Sequence, residues 1–348
     1  MGSGGMMKKY TIAIDGGTTN TRAVLIDGNR EFAAVEMSRT GVKDTAVDGH
    51  NGKLKEAART CIHRLVENHL TGFDEVDRVI ASGMITSGSG LYEIPHVTAP
   101  AGVFELAGRM REVLIEDVCP IPILFIPGVK NCDEPLTMDH YRTMDMMRGE
   151  EVESIAVLES YPKGRPYLLV LPGSHMKLVA INEKGQISGC LTTLSGELLS
   201  AVTHHTVIAD AVGNGFVEAD AYDLSMVLEG SRAAAAAGFS HACFQARILN
   251  QFVEPDHRKI ACFLLGAVLQ NDIEVLKRAG RPWTDCDVPV IISGKFPLGR
   301  AFADLLREDG YYRDIREFYP DSKLPLSALG ALIVADAGRG AHVRDTYV

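Results

Sequence analysis

The sequence predicts an α/β protein of two domains, and three observations carry the prediction. Its 348 residues are enough for about two domains. Two β-hairpins closed by glycine-containing turns lie roughly 155 residues apart, one around Gly16–Gly17 and one around Pro172–Gly173. Short β-branched runs alternate with stretches of helical periodicity around both. Hydrophobic residues make up 46% and charged residues 23%, a balance that supports packed cores.

In chain order, Ile12–Ala13–Ile14 and Ala23–Val24–Leu25–Ile26 read as paired strands, and 31–39 adds a third. A helix over 53–70 follows, with Leu54, Ala57, Ala58, Cys61, Ile62, Leu65 and Val66 on one face. A buried strand is expected at 76–81, a second helix at 103–115 and a strand at 121–126. The stretch 82–102 is a long Gly- and Pro-rich loop, of a length that tends to be functional. From Asp133 to Tyr161 the pattern reads as two helical pieces, the second beginning near Asp145. Strands at 167–171, 177–181 and 186–192 form the second hairpin and its neighbour. Helices follow over 196–210, with Ser195 as N-cap, then over 222–252 in one or two pieces, and over 258–277. A strand at 288–292, a helix from about Leu298 and a last helix from Leu326 complete the chain. The expected domains are 1–120 and 121–324, sharing a cleft, with helix 325–345 packing back on the first.

Charge and cysteine usage narrow the function. A formal net charge of −10 argues against a nucleic-acid partner, and an acidic chain that binds anions must gather its cations locally. The seven cysteines form no C-x-x-C pair and are odd in number, which fits neither a disulfide framework nor a zinc site. A reducing cytoplasm is the expected location. Met1–Gly2–Ser3–Gly4–Gly5 reads as an added leader, with the natural start at Met6 or Met7 and no signal peptide after it. No apolar run approaches the roughly 20 residues of a membrane span, so no membrane partner is expected. A homodimer stays open. His204–His205 has no third ligand at metal spacing and reads as structural.

The stretch Ile12–Asp27, I-A-I-D-G-G-T-T-N-T-R-A-V-L-I-D, carries the chemistry. Gly16 and Gly17 let a ligand approach the main chain, and Thr18, Thr19, Asn20 and Thr21 supply the donors that a phosphate requires. Asp15 ends the first strand, where a carboxylate can hold hydrated Mg2+. A plain hairpin with a Gly-rich loop is the bland alternative. The string is neither a Walker loop nor a Rossmann fingerprint. It resembles the first phosphate loop of the sugar kinase, heat-shock ATPase and actin superfamily, which implies a two-domain actin-like (ribonuclease H-like) ATPase fold with an interdomain cleft.

A closer resemblance rests on the ordered set I-D-G-G-T-T-N-T-R, S-G-M-I, the loop to Ala99–Pro100–Ala101, I-P-G-V, D-M-M-R-G-E-E, L-P-G-S-H-M-K and S-G-E-L. In this order the chain resembles the 2-dehydro-3-deoxygalactonokinases, strongly over 12–199 and more loosely beyond. Where that family usually carries a Gln-Gly-Trp step, this chain reads Thr86–Ser87–Gly88–Ser89–Gly90–Leu91–Tyr92, and its only tryptophan is Trp283. The resemblance implies ATP- and Mg2+-dependent phosphorylation of 2-dehydro-3-deoxy-galactonate at its 6-hydroxyl. It places the catalytic Asp at a helix start upstream of the second phosphate loop, which selects Asp145.

Arg148, three residues on, was expected on the same helical face, holding a sugar carboxylate or the transferred phosphate. A helix cap and a surface ion pair are the bland readings of these two. Asp15, Gly16, Gly17, Thr18 and Thr19 are assigned to the nucleotide and metal, with Gly173, Ser174, His175 and Lys177 of the second turn. Adenine is expected near Gly294, where a strand end meets a helix start. Acceptor contacts are assigned to Asn20, Arg22, Ser82, Gly83, Met84, Glu93 and His96. The alternatives are a kinase of the same fold acting on another sugar acid, sugar or polyol, and a nucleotide-dependent sensor.

Overall fold

The computed structural model describes residues 9–132, 135–280, 283 and 285–345. The expected leader at 1–5 and the start at Met6 or Met7 lie outside the described residues, as do Asp133 and Glu134. By internal contacts the chain forms two units. One comprises Met1–Lys163, Gly185–Gly189 and Pro320–Val348; the other comprises Gly164–Lys184 and Cys190–Tyr319. The first unit runs past 120 and takes in 121–163.

The first unit opens with the hairpin β1 (Tyr10–Gly16) and β2 (Thr21–Ile26), paired antiparallel so that Asp15 faces Arg22 and Gly16 faces Thr21. β3 (Phe32–Ser38) extends it antiparallel. The short helix α1 (Val42–Asp48) leads into α2 (Gly52–His69), whose buried face holds the seven residues picked out by periodicity. β4 (Val76–Gly83) then returns parallel to β1. After the 82–102 segment, which contributes β5 (Val97–Thr98), come α3 (Val103–Ala107), β6 (Arg111–Val113) and β7 (Ile123–Phe125). The sheet order is β3-β2-β1-β4-β7-β6. A smaller sheet joins β5, β8 (Val129–Lys130) and β9 (Met146–Met147), followed by α4 (Glu150–Leu158).

Two expectations are corrected here. The helix over 103–115 stops at Ala107; Gly108 closes it, and Arg111–Val113 pairs antiparallel with β7 instead. The helix near Asp145 begins only at Glu150. Its N-cap is Gly149 at φ 108°, a conformation that L side chains rarely adopt and that interrupts any helix through it. Ahead of it, 135–149 is extended or turn-like apart from one 3-10 turn at Tyr141–Thr143.

The second sheet runs β12-β11-β10-β13-β14. The hairpin β10 (Tyr167–Leu171) and β11 (Met176–Ile181) is antiparallel, β12 (Ile187–Thr193) flanks β11, and β13 (Val290–Ile292) and β14 (Ile315–Glu317) add in parallel. Strand for strand, this is the order of the first sheet without its last strand. Five helices pack here: α5 (Ser195–His205), α6 (Leu224–Ala237), α7 (Phe239–Phe252), α8 (His257–Arg278) and α9 (Leu298–Asp309). α8 is the central one, buried from Ile260 to Gln270 among the other four. The last helix, α10 (Leu326–Asp345), belongs to the first unit and packs on α3, α4, β1 and β4. Two mixed sheets with matched strand order make this an α/β protein of the actin-like ATPase fold. No helix among the described residues is long and apolar enough to cross a membrane.

Candidate active site

In the first unit, the expected phosphate loop is a tight turn in which the Gly17 N–H donates to the Asn20 carbonyl at 2.8 Å. The start of α1 backs it: the N–H groups of Val42 and Lys43 donate to the Gly17 and Thr18 carbonyls. Thr18, Thr19 and Asn20 are exposed, so their side chains and the turn's outer face are open to a ligand. Gly16 is buried because the chain passes directly over Ile85; a Cβ there would lie 2.4 Å from the Ile85 Cβ. Asp15, beside Gly16, is half-buried at the strand end, and its carboxyl pKa is raised by burial against the opposing pull of Arg22 and a Ser327 hydroxyl. Gly83 pairs with Gly16, and a Cβ on Gly149 would fall 3.3 Å from the Gly83 Cα. Thus the ends of β1 and β4 and the start of α4 meet beside the loop.

Asp15 fits a hydrated divalent cation. It is a desolvated carboxylate beside a loop rich in phosphate donors, and Mg2+ typically takes one or two carboxylates plus substrate phosphates. Its raised pKa is the cost that a bound cation would offset. Among the described residues no group of three or more His, Cys, Asp or Glu side chains could hold a metal without such a substrate. His204 stacks edge-on against Phe216.

Of the residues expected to contact the acceptor, Asn20 and Arg22 lie on the first hairpin, Ser82 and Gly83 end β4, and the rest fall on a loop that closes on itself. Main-chain bonds run from Leu91 to Ile85 and from Ile94 to Thr86, and β5 joins it to β8. β8 in turn pairs with β9, so the S-G-M-I loop, the I-P-G-V segment and D-M-M-R become neighbours in one small sheet. Arg148 fastens this assembly. Its Nη1 donates to the Thr86 carbonyl and hydroxyl, both at 2.8 Å, and its Nη2 donates to the Ile94 carbonyl at 2.6 Å and lies 3.3 Å from His96 Nδ1. These partners engage both Nη nitrogens within the loop, where a fork for a sugar carboxylate or phosphate was expected, and Nε–H is the remaining donor. Burial draws the Arg148 pKa down, against the charges of Glu151 and Glu93.

Asp145 immediately precedes β9 in extended chain, so the helix-start geometry expected for it is absent, and Arg148 shares no helical face with it. Its Oδ1 accepts the Met146 N–H at 2.7 Å, and the group is half-buried. The carboxylate that does bind at the helix start is Glu151, whose two oxygens take the Gly149 N–H at 2.9 and 2.8 Å. Glu151 is fully buried, and burial with the neighbouring Glu150 charge pushes its pKa up to about 8 despite that N–H and Arg148. Of the remaining acceptor residues, Ser82 is buried, Met84 and His96 are half-buried, and Glu93 is exposed beside Gly88.

In the second unit the turn Pro172–His175 is exposed at Gly173 and Ser174. The N-terminus of α5 lies against it. The Glu197 N–H donates to the Ser174 carbonyl at 3.0 Å, Glu197 Oε1 lies 3.2 Å from His175 Nε2, and a Cβ on Gly196 would fall 2.1 Å from the Gly173 carbonyl oxygen. Lys177 is buried, and its ammonium donates to the Thr192 hydroxyl at 2.7 Å. Gly294, at the end of β13, packs on Pro172, and the first turn of α9 packs on Gly294. Strand ends and two helix starts therefore converge around the turn.

Sequence reasoning missed Thr193 and Asp272 here and misread Ser195. Ser195 is the first helical residue of α5 and not its cap, a position that Leu194 holds. The Ser195 hydroxyl donates at 2.7 Å to Asp272 Oδ1 on α8, which also accepts from the Thr193 hydroxyl at 2.5 Å. An acidic residue within the apolar run Ile260–Leu276 was the available signal, because a carboxylate among such neighbours must have partners.

Comparison with known proteins bears on the family. The 2-keto-3-deoxy-galactonokinase family pattern matches residues 15–318. A Rhizobium meliloti (strain 1021) protein named "Probable 2-dehydro-3-deoxygalactonokinase DgoK1" is 27% identical over 215 residues, 61% of this chain; the chain thus spans 61% of the length of that curated relative. The crystal structure of a candidate 2-dehydro-3-deoxygalactonokinase from Sinorhizobium meliloti superposes with a TM-score of 0.69 at 22% identity, covering 97% of this chain and 99% of that one. With the family pattern extending from the Asp15 strand end to beyond the Gly294 turn, the chain belongs to the 2-keto-3-deoxy-galactonokinase family.

Proposed function

We propose that the chain is an ATP-dependent sugar-acid kinase that phosphorylates 2-dehydro-3-deoxy-galactonate on its 6-hydroxyl. The observation that carries the reading is the small sheet of the first unit. It joins three family motifs, holds the acceptor loop through Arg148, and lies on the chain segment that runs into Gly149, next to Gly83 and the Gly16 phosphate turn. An acceptor hydroxyl and a phosphate site are thereby served by one rigid patch, which phosphoryl transfer requires.

In this reading each hairpin turn is the phosphate-binding element of its own unit. In the first unit the Gly16–Thr19 main chain binds phosphate; in the second, Lys177 and the turn Gly173–His175 do so, with adenine near Gly294. Asp15 would hold Mg2+, which would supply charge neutralisation to the phosphates. Asp145 accepts the proton of the 6-hydroxyl as its oxygen bonds to the γ-phosphorus and the bond to the β-phosphate oxygen breaks, releasing ADP. Asn20, Arg22, Ser82, Gly83, Met84, Glu93 and His96 contact or shape the acceptor, and Arg148 acts through the loop it braces. The test is ADP release measured over a panel of sugar acids, sugars and polyols. Turnover that depends on 2-dehydro-3-deoxy-galactonate supports the assignment. Turnover greatest with another acceptor keeps the kinase and transfers the specificity to the Thr86–Tyr92 step, and ATP hydrolysis indifferent to every acceptor overturns it.

A further inference from the structure

Asp272 lies on the central helix α8 with none of its surface exposed, yet only one of its carboxylate oxygens has partners among the described residues. Oδ1 accepts both the Thr193 and Ser195 hydroxyls, while Oδ2 is buried without a hydrogen-bond partner. A desolvated carboxylate with one oxygen unsatisfied is a costly group to keep in a core, and an apolar residue would pack there at less cost. Burial raises its pKa to about 6, against the two hydroxyls. What the carboxylate accomplishes is visible in its partners. Thr193 is the last residue of β12, and Ser195 is the first of α5. A single oxygen therefore fixes the sharp corner at which strand becomes helix, and Thr193 and Ser195 lie 3.1 Å apart, oxygen to oxygen, across it.

That corner sets the second phosphate turn. One residue after Ser195, Gly196 rests against the Gly173 carbonyl; the next, Glu197, donates its N–H to Ser174 and places its carboxylate beside His175. One residue before Thr193, the Thr192 hydroxyl receives the Lys177 ammonium. Both the main chain of the turn and its nearest cation are thus referred to a segment that Asp272 anchors to α8. We infer that Asp272 is a positioning residue for nucleotide binding, holding the Thr192–Glu197 corner, and through it Gly173–Lys177, in the geometry that receives the phosphates. This rests on the kinase reading, and it adds to it a residue that never touches the ligand.

Calorimetric titration of Mg-ADP into the full chain tests it without need of turnover. Asp272→Ala should weaken Mg-ADP at least tenfold. Asp272→Asn, whose carbonyl can still accept both hydroxyls, should recover affinity to within about threefold of the parent. In the coupled assay the KM for the sugar acid should move less than twofold in both, which a general loosening of the fold would not produce. Trp283, the sole tryptophan, is buried in the same core as α8, so its emission reports whether this unit has folded. Should Asp272→Ala fail to fold, Ser195→Ala removes one arm of the anchor and is expected to weaken Mg-ADP at least threefold. Parent-like affinity in a folded Asp272→Ala, or in Ser195→Ala where the first does not fold, overturns the inference while leaving the kinase reading intact. No Mg-ADP binding by the parent chain overturns both.

Discussion

The two hairpins are the same device with different chemistry at the tip. Each is an antiparallel pair inside a sheet, and its first strand is flanked by a parallel one, β4 in the first unit and β13 in the second. Each turn is pressed from behind by another segment at a glycine, the first by Ile85 at Gly16 and the second by the Gly173 carbonyl at Gly196. The charged residues in the pairs nearest the turns differ. In the first unit Asp15 faces Arg22, an acid with a base; in the second Leu171 faces Lys177, a base alone. The two hairpins thus share a topology while the side chains near their tips differ, an acid and a base in one and a buried lysine in the other.

The largest expected effect bears on the first unit alone. Asp145→Asn should lower kcat by on the order of 100- to 10,000-fold with little change in KM, as loss of a general base does. Asp15→Asn should instead raise the Mg2+ concentration needed for half-maximal rate. If Asp145→Asn keeps its rate within about threefold while Asp15→Asn loses it, the roles exchange. Next comes the pressure behind each turn. Gly196→Ala places a methyl group against the Gly173 carbonyl, and overpacking of that kind disturbs a site by about 1–3 kcal/mol. The KM for ATP should rise roughly tenfold with the sugar-acid KM unchanged. Gly16→Ala, against Ile85, should raise both constants, because its strand pairs with Gly83 at the acceptor side. Equal effects from the two substitutions would dissolve the comparison.

Arg148 gives an intermediate effect. Arg148→Lys keeps the charge but cannot span Thr86, Ile94 and His96. The sugar-acid KM should rise about tenfold and the ATP KM stay constant; a loss confined to kcat would return Arg148 to direct catalysis.

The smallest effect is on stability. Glu151 has its pKa raised from 4.5 to about 8 in the folded chain. Between those values the folded state binds the proton more tightly than the unfolded state, so this group's contribution is greatest below the lower pKa and is lost as pH rises towards 8. Glu151→Gln removes that loss and can still accept the Gly149 N–H. Its Tm relative to the parent should climb by roughly 3 °C or more between pH 5 and 8. A constant difference across that range would show that Glu151 does not titrate there.

The hairpins and α2 were legible because their signals are local: β-branched runs ending in Gly, and seven apolar residues at helical spacing that are all buried. Errors fell where a distant partner decides. Arg111–Val113 follows a helical pattern, but Gly108 stops the helix and β7 offers an edge. Met146–Met147 reads as helix interior, yet it pairs with Val129–Lys130, and no local feature announces that pairing. The same cause moved Arg148 from a ligand clamp to a brace, since Thr86 and Ile94 are 62 and 54 residues away. The glycine at 149 was the one readable warning, because a φ of 108° cannot lie inside a helix.

The first unit is assembled from three stretches of chain, and α10, in the third of them, follows the whole second unit in sequence. Ser327, which bonds Asp15, and Gly330, which lies against Val152 of α4, leave the ribosome only after the whole second unit. At translation rates of about 5–20 residues per second, β1 and β4 wait on the order of ten seconds or more for the helix that covers them. During that interval the nascent first unit exposes apolar strand surface while the second, nearly continuous in sequence, can already fold. The turn at Gly16 therefore gains its Ser327 support, through Asp15, only after every residue of the second unit has been made.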